Sequence, residues 1–157
     1  MIASIRPRTP WLAAVLLASL AIAAHADDKP AVSQLDPAWQ RLTKSNSRFL
    51  DKDQQVLLDD LSFATAAAEV CPGFVVDKAA FKNGFVGFDS PRYQKLEPEK
   101  KRLWEFTLMT NFGAGTALYV AEALLHPDDA CAYAESKRGD TGPGRFWTKP
   151  PTAAATQ

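Results

Sequence analysis

Cysteine and histidine are scarce in this chain, and neither sign of charge is in excess. Two cysteines and two histidines are present, and 18 Lys and Arg stand against 18 Asp and Glu. Without a basic surplus nothing compensates a phosphate backbone, so nucleic acid is not an expected partner. The cysteines, Cys71 and Cys131, are far apart and form no Cys-x-x-Cys or Cys-x-x-Cys-His motif, which excludes a thioredoxin-like redox pair and covalently held haem. No apolar run reaches the ~20 residues that a membrane-spanning helix requires.

What the N-terminus does have is a short basic stretch with Arg6 and Arg8, then an apolar run from Trp11 to Ala23, then Ala24-His25-Ala26. A dozen or so apolar residues followed by a small-x-small tripeptide is the pattern of a removable secretory peptide over 1–26. No cysteine lies near the cleavage pattern, so a lipid-anchored form is not expected. Processing there leaves roughly 130 residues, a suitable size for one compact domain. It also removes two basic and no acidic residues, leaving a slightly acidic, periplasmic or secreted product with no membrane span. In an oxidising compartment an even pair of cysteines reads as a structural disulfide, Cys71–Cys131. Zinc would need further ligands, and His126 is the one histidine left after processing.

The periodicities are helical throughout, which predicts an all-α, single-domain bundle of about four to five helices closed by one disulfide. Residues 27–36 read as a flexible lead-in, 37–139 as the helical domain and 140–157 as a disordered tail. A first short helix begins at Pro37, with Trp39 and Leu42 on one face, and weakens at Ser45-Asn46-Ser47. The second is capped by Asp51 with Gln54 reaching back. Leu57, Leu61, Ala64, Ala68 and Cys71 form its stripe, widened by Val56, Phe63, Ala67 and Val70, and Pro72-Gly73 ends it. Asp77 caps a short third helix ending near Gly84, and Phe85 and Phe88 sit in a breaker-rich connection. A fourth region over 97–125 opens with Pro98 and is apolar on most sides, which predicts a central, buried helix, with a bend or break at Gly113-Ala114-Gly115. The last helix starts at Pro127 and stops before Gly139.

Chemistry-bearing groups are few. His126, Asp128, Asp129 and Glu122 form a polar cluster that a metal or acid–base site would use, although helix capping accounts for the first three. Glu69, Glu105 and Glu122 are the carboxylates available to a hydrolase built on acids alone. Gly113-Ala114-Gly115-Thr116 lacks the strand and the third glycine of a phosphate loop, so helix packing is the better account. Phe146 and Trp147, between Arg145 and Lys149, are candidate anchors for a partner, or for docking back onto the domain.

In export, size, helix content and the cysteine pair, the chain is similar to small helical periplasmic proteins, among them the acid-stress chaperones of enteric bacteria. The segments Glu69-Val70-Cys71-Pro72-Gly73 and Asp129-Ala130-Cys131-Ala132-Tyr133 carry no motif that transfers a residue's role. The expected function is therefore non-enzymatic binding of another protein or a small apolar ligand, without a cofactor. The alternatives are an acid- or stress-responsive chaperone, in which protonated carboxylates leave the basic side chains to repel one another, and a carboxylate-based hydrolase. Isolated from its own cells, the protein should begin at Asp27 by N-terminal sequencing. Its intact mass should show both thiols oxidised.

Overall fold

A computed structural model describes residues 35–148, and the predicted secretory peptide and most of the lead-in lie outside the described residues. Among the described residues six helices follow one another: α1 (Asp36–Asn46), α2 (Lys52–Val70), α3 (Lys78–Val86), α4 (Pro91–Gln94), α5 (Pro98–Leu125) and α6 (Pro127–Ser136). A 3-10 turn, Gly142–Phe146, closes the series, and no strand is present among the described residues. The fold is all-α, as the periodicity predicted. The count exceeds the expectation chiefly through α4, a single turn whose start is capped by the Ser90 hydroxyl accepting from Tyr93 N.

Local chemistry explains the helix boundaries. Asp51 accepts from Gln54 N at 2.9 Å, and the Gln54 side chain accepts from Asp51 N at 3.3 Å, which satisfies two amides at the start of α2. Asp77 accepts from Ala79 N and Ala80 N at the start of α3. α1 continues through the weak formers Ser45 and Asn46 because Asn111 of α5 donates to both side chains, at 3.0 and 2.8 Å. α3 runs past Gly84 to Val86. There the missing side chain makes room for Phe146, whose ring would stand 2.8 Å from an added Cβ.

α2 is the central helix. Leu58, Leu61, Ala64, Ala67 and Cys71 are buried, a stripe displaced slightly from the predicted one, in which Leu57 and Ala68 are only half-buried. Val56 does not widen it, being 55% exposed. α5 lies along one side of α2 and touches it most closely where Ser62 meets Gly115. A Cβ on Gly115 would come within 2.9 Å of the Ser62 hydroxyl, which itself donates to Phe112 O. The 28 residues of α5 form one uninterrupted helix. Of the bend or break expected at 113–115, the break is absent, and Gly115 serves close packing against Ser62. Cys71 and Cys131 are bonded, with Cα atoms 5.4 Å apart, and fasten the end of α2 to α6.

The largest departure concerns the predicted tail. The segment 141–148 packs onto the domain, and its Phe146 and Trp147 enter the core, 2% and 4% exposed. The Trp147 indole N–H donates to Ala64 O in the middle of α2 at 2.8 Å, and its ring lies against Phe74 and Phe63. Thr148 N donates to Val75 O, and Asp77 N to Phe146 O, each at 2.8 Å. A run of alanines on α2 leaves the slot that these two rings fill. Gly144 is obligatory beside it, because a side chain there would strike the backbone of Lys137 and Gly139. Lys149 to Gln157 lie outside the described residues. Trp147→Ala should lower the free energy of unfolding by roughly 3–5 kcal/mol. A denaturant titration that found a change typical of a surface site, under about 0.5 kcal/mol, would contradict this packing.

Candidate functional site

The most unusual surface belongs to α5. From residue 103 to residue 125 its only charged side chains are Glu105 and Glu122. Leu108, Asn111, Gly115 and Ala123 face inward and are buried. On the opposite side Leu103, Phe106, Thr110, Gly113, Ala117, Val120 and Leu124 recur at alternating steps of three and four, the spacing of one helix face. Phe106 is 70% exposed, Leu124 66%, Leu103 65% and Met109 52%. A surface helix ordinarily presents charge to solvent, and contiguous apolar surface of this kind marks contact with another molecule. The expectation that α5 is central and buried is therefore overturned. Apolar residues encircle it because one face packs on α1, α2 and α6 and the other faces outward.

A second region joins α1, α2 and α5 by polar clamps between aromatic rings. Tyr119 OH donates to Asp59 Oδ1 at 2.7 Å, and Trp39 Nε1 donates to Glu122 Oε1 at 2.6 Å. The Trp39 and Tyr119 rings meet edge to face at 4.7 Å, and Phe63 extends the cluster to Tyr133. Asp59 lies between two hollows. One, of about 300 Å³, is lined by Trp39, Leu42, Asn46 and Asn111. The other, of about 410 Å³, is lined by Asp60, Tyr133, Lys137 and Arg138. Both linings mix charged or amide groups with rings, unlike the mainly apolar wall of a site for a small apolar ligand.

Burial pushes the Asp59 carboxyl above its ordinary value, against the opposing effect of the Tyr119 hydrogen bond. Burial likewise raises Asp60, partly offset by Arg145 at 3.4 Å and reinforced by the charge of Asp59. Burial, and then the neighbouring Asp59, push the Tyr119 phenol strongly upward. Tyr119 is thus a proton donor at neutral pH and neither a base nor a nucleophile. These contacts hold helices together and include no pairing of an activated nucleophile with a base.

The predicted polar cluster does not converge. Glu122 is engaged by Trp39, His126 is the hinge residue between α5 and α6, and Asp128 and Asp129 are exposed in the first turn of α6. Among the described residues no three His, Cys, Asp or Glu side chains are grouped to hold a metal ion. Glu105 accepts from Tyr93 OH at the surface. Of the two roles expected for Phe146 and Trp147, anchoring a partner or docking back onto the domain, the structure shows the second, since the α2 slot buries them. Asp59, Asp60 and Tyr119 were not singled out from the sequence, because carboxylates on a helix give no sign of which will be covered. Comparison of the chain with protein-family models, curated proteins and solved structures finds no match.

A carboxyl whose value is raised by folding adds stability below its unfolded value of about 3.8, and that contribution is lost as pH rises through the higher folded value. Asp59→Asn keeps an acceptor for Tyr119 and removes a charge that the partly desolvated site disfavours. The variant should therefore melt above wild type at pH 7. The difference should shrink towards pH 4 in thermal melts run side by side.

Proposed function

We propose that this chain is an exported, non-enzymatic helical protein that acts by binding another protein through the outward face of α5. The observation that carries this reading is the run of Leu103, Phe106, Met109 and Leu124, each more than half exposed on a helix side without charge. Over 103–124 the stripe extends roughly 32 Å at ~1.5 Å per residue. That length suits a helix or a groove of a protein better than a small molecule. No helix among the described residues is long and apolar enough to cross a membrane. Export rests on the basic–apolar–small pattern of residues 1–26 and accords with the disulfide.

The acid-triggered chaperone is the less favoured reading. It requires protonation to loosen the domain, and Asp59 and Asp60, two carboxyls raised by partial desolvation, do not contribute to such loosening. A binding surface open at neutral pH needs no such trigger.

The test is to replace Phe106 or Leu124, one at a time, with a photo-reactive amino acid in the producing cells and irradiate. Lys82, exposed on α3, serves as the control position. Discrete protein adducts at 106 and 124, absent at 82, are the expected result. Adducts at all three positions, or at none, would refute an α5 binding face.

A further inference from the structure

We infer that the hollow between α2 and α6 binds a short linear peptide of about three residues, its N-terminal ammonium at Asp59 and its C-terminal carboxylate at Lys137. The hollow shares no residue with the outward stripe of α5, so the inference stands apart from the reading above.

Its charges are the starting point. The lining of this space, about 410 Å³, carries two acids, Asp59 and Asp60, and two bases, Lys137 and Arg138. Equal numbers of each sign favour neither an anion nor a cation. The four are not equally committed, however. Asp60 is met by Arg145 at 3.4 Å. Arg138 donates to Glu135 at 2.8 Å and to Gly73 O at 3.1 Å, and its guanidinium lies 3.8 Å from the centre of the Phe74 ring. Asp59 and Lys137 join no ion pair among the described residues. Burial raises the Asp59 carboxyl and only the neutral Tyr119 hydroxyl opposes it, so no cation of the domain offsets that charge. Tyr119 donates to Oδ1 at 2.7 Å and leaves Oδ2 for another donor. One lone acid and one lone base call for a ligand that carries both signs.

What lies between them sets the length of that ligand. Tyr119, Phe63 and Tyr133 stand in a row, edge to face, with ring centres 5.2 and 5.5 Å apart. Asp59 holds the hydroxyl of the first ring, and the Lys137 ammonium stands 4.8 Å from the centre of the last. The row separates the lone carboxylate from the lone ammonium by roughly 10 Å, the reach of about three extended residues. A single amino acid, whose charges lie roughly 3–4 Å apart, cannot meet both. A peptide can, with a charge-assisted hydrogen bond at each end and its side chains laid across the rings.

The site is also open to a ligand of this kind. Asp59 and Lys137 are exposed, Tyr133 is 54% exposed, and the volume is in the ordinary range for small-ligand sites.

The experiment is equilibrium dialysis of the processed, disulfide-bonded protein against the tripeptide Ala-Phe-Ala. Its comparisons are the same peptide N-acetylated, the same peptide C-amidated, and phenylalanine alone. The expected result is binding of the unblocked tripeptide, weakened about tenfold or more by either block. Asp59→Asn should melt above wild type, so a loss of binding in that variant is not a loss of fold. It should bind the unblocked peptide about as weakly as wild type binds the acetylated one, and acetylation should then make no further difference. Lys137→Gln should show the same indifference to amidation. No binding of the unblocked peptide at about 1 mM, or equal affinity for blocked and unblocked peptides, would overturn the inference. Phenylalanine held as tightly as the tripeptide would overturn the span between the two charges. None of these outcomes bears on the adducts expected at 106 and 124, which test the α5 face separately.

Discussion

The narrowness of α2 is the constraint on which the remaining packing depends. Ser62, Ala64, Ala66, Ala67 and Ala68 keep one stretch of this helix slim on several sides, so neighbouring groups approach its backbone closely. On one side Gly115 lets α5 come within reach of Ser62. On another the Trp147 indole reaches through to the Ala64 carbonyl. Rings from the surrounding elements, Phe74, Phe146 and Trp147, therefore fill the volume that the alanines leave. The disulfide at the end of α2 fastens α6 to the same axis and shortens the accessible unfolded chain. Closing 60 residues in this way is worth about 4 kcal/mol in a chain-entropy account.

How much of this was legible depended on whether the cause was local. The cap at Asp51, the cap at Asp77, Pro98 and Pro127 at helix starts, and the pairing of two lone cysteines are all written within a few residues or by elimination. Each appears where expected. The orientation of α5 was not legible, because a ring of apolar residues around a helix has two physical meanings. It describes a helix enclosed by its own domain, or one whose outer side is reserved for another molecule. Deciding between them requires knowing how many elements are available to surround it, and this domain has too few. The fate of Phe146 and Trp147 was hidden differently. Their surroundings, rich in Gly and Pro, have no period, and the slot that receives them is made by α2 more than eighty positions earlier.

The polar candidates fared as their chemistry suggests. His126, Asp128 and Asp129 sit at the junction of α5 and α6 without a side-chain cap hydrogen bond, and Glu122 is held by an indole donor. The carboxylates with altered behaviour, Asp59 and Asp60, owe it to partial loss of water beside Tyr119, Phe63 and Arg145, although Asp59 itself remains exposed. A sequence pattern records which groups can ionise and does not record what will lie over them. The α5 stripe is the reverse case, since its signal, a long stretch almost without charge, was visible at once and only its side of the helix was not.

The late position of Phe146 and Trp147 also sets the order in which the molecule can be built. The interior of α2 remains open until residues 144–148 have left the ribosome, because no earlier segment supplies those two rings. Contacts spanning so much of the chain form slowly compared with helical turns. A chain cut short before Phe146 therefore lacks the two rings that fill the slot beside Ala64 and leaves that side of α2 uncovered.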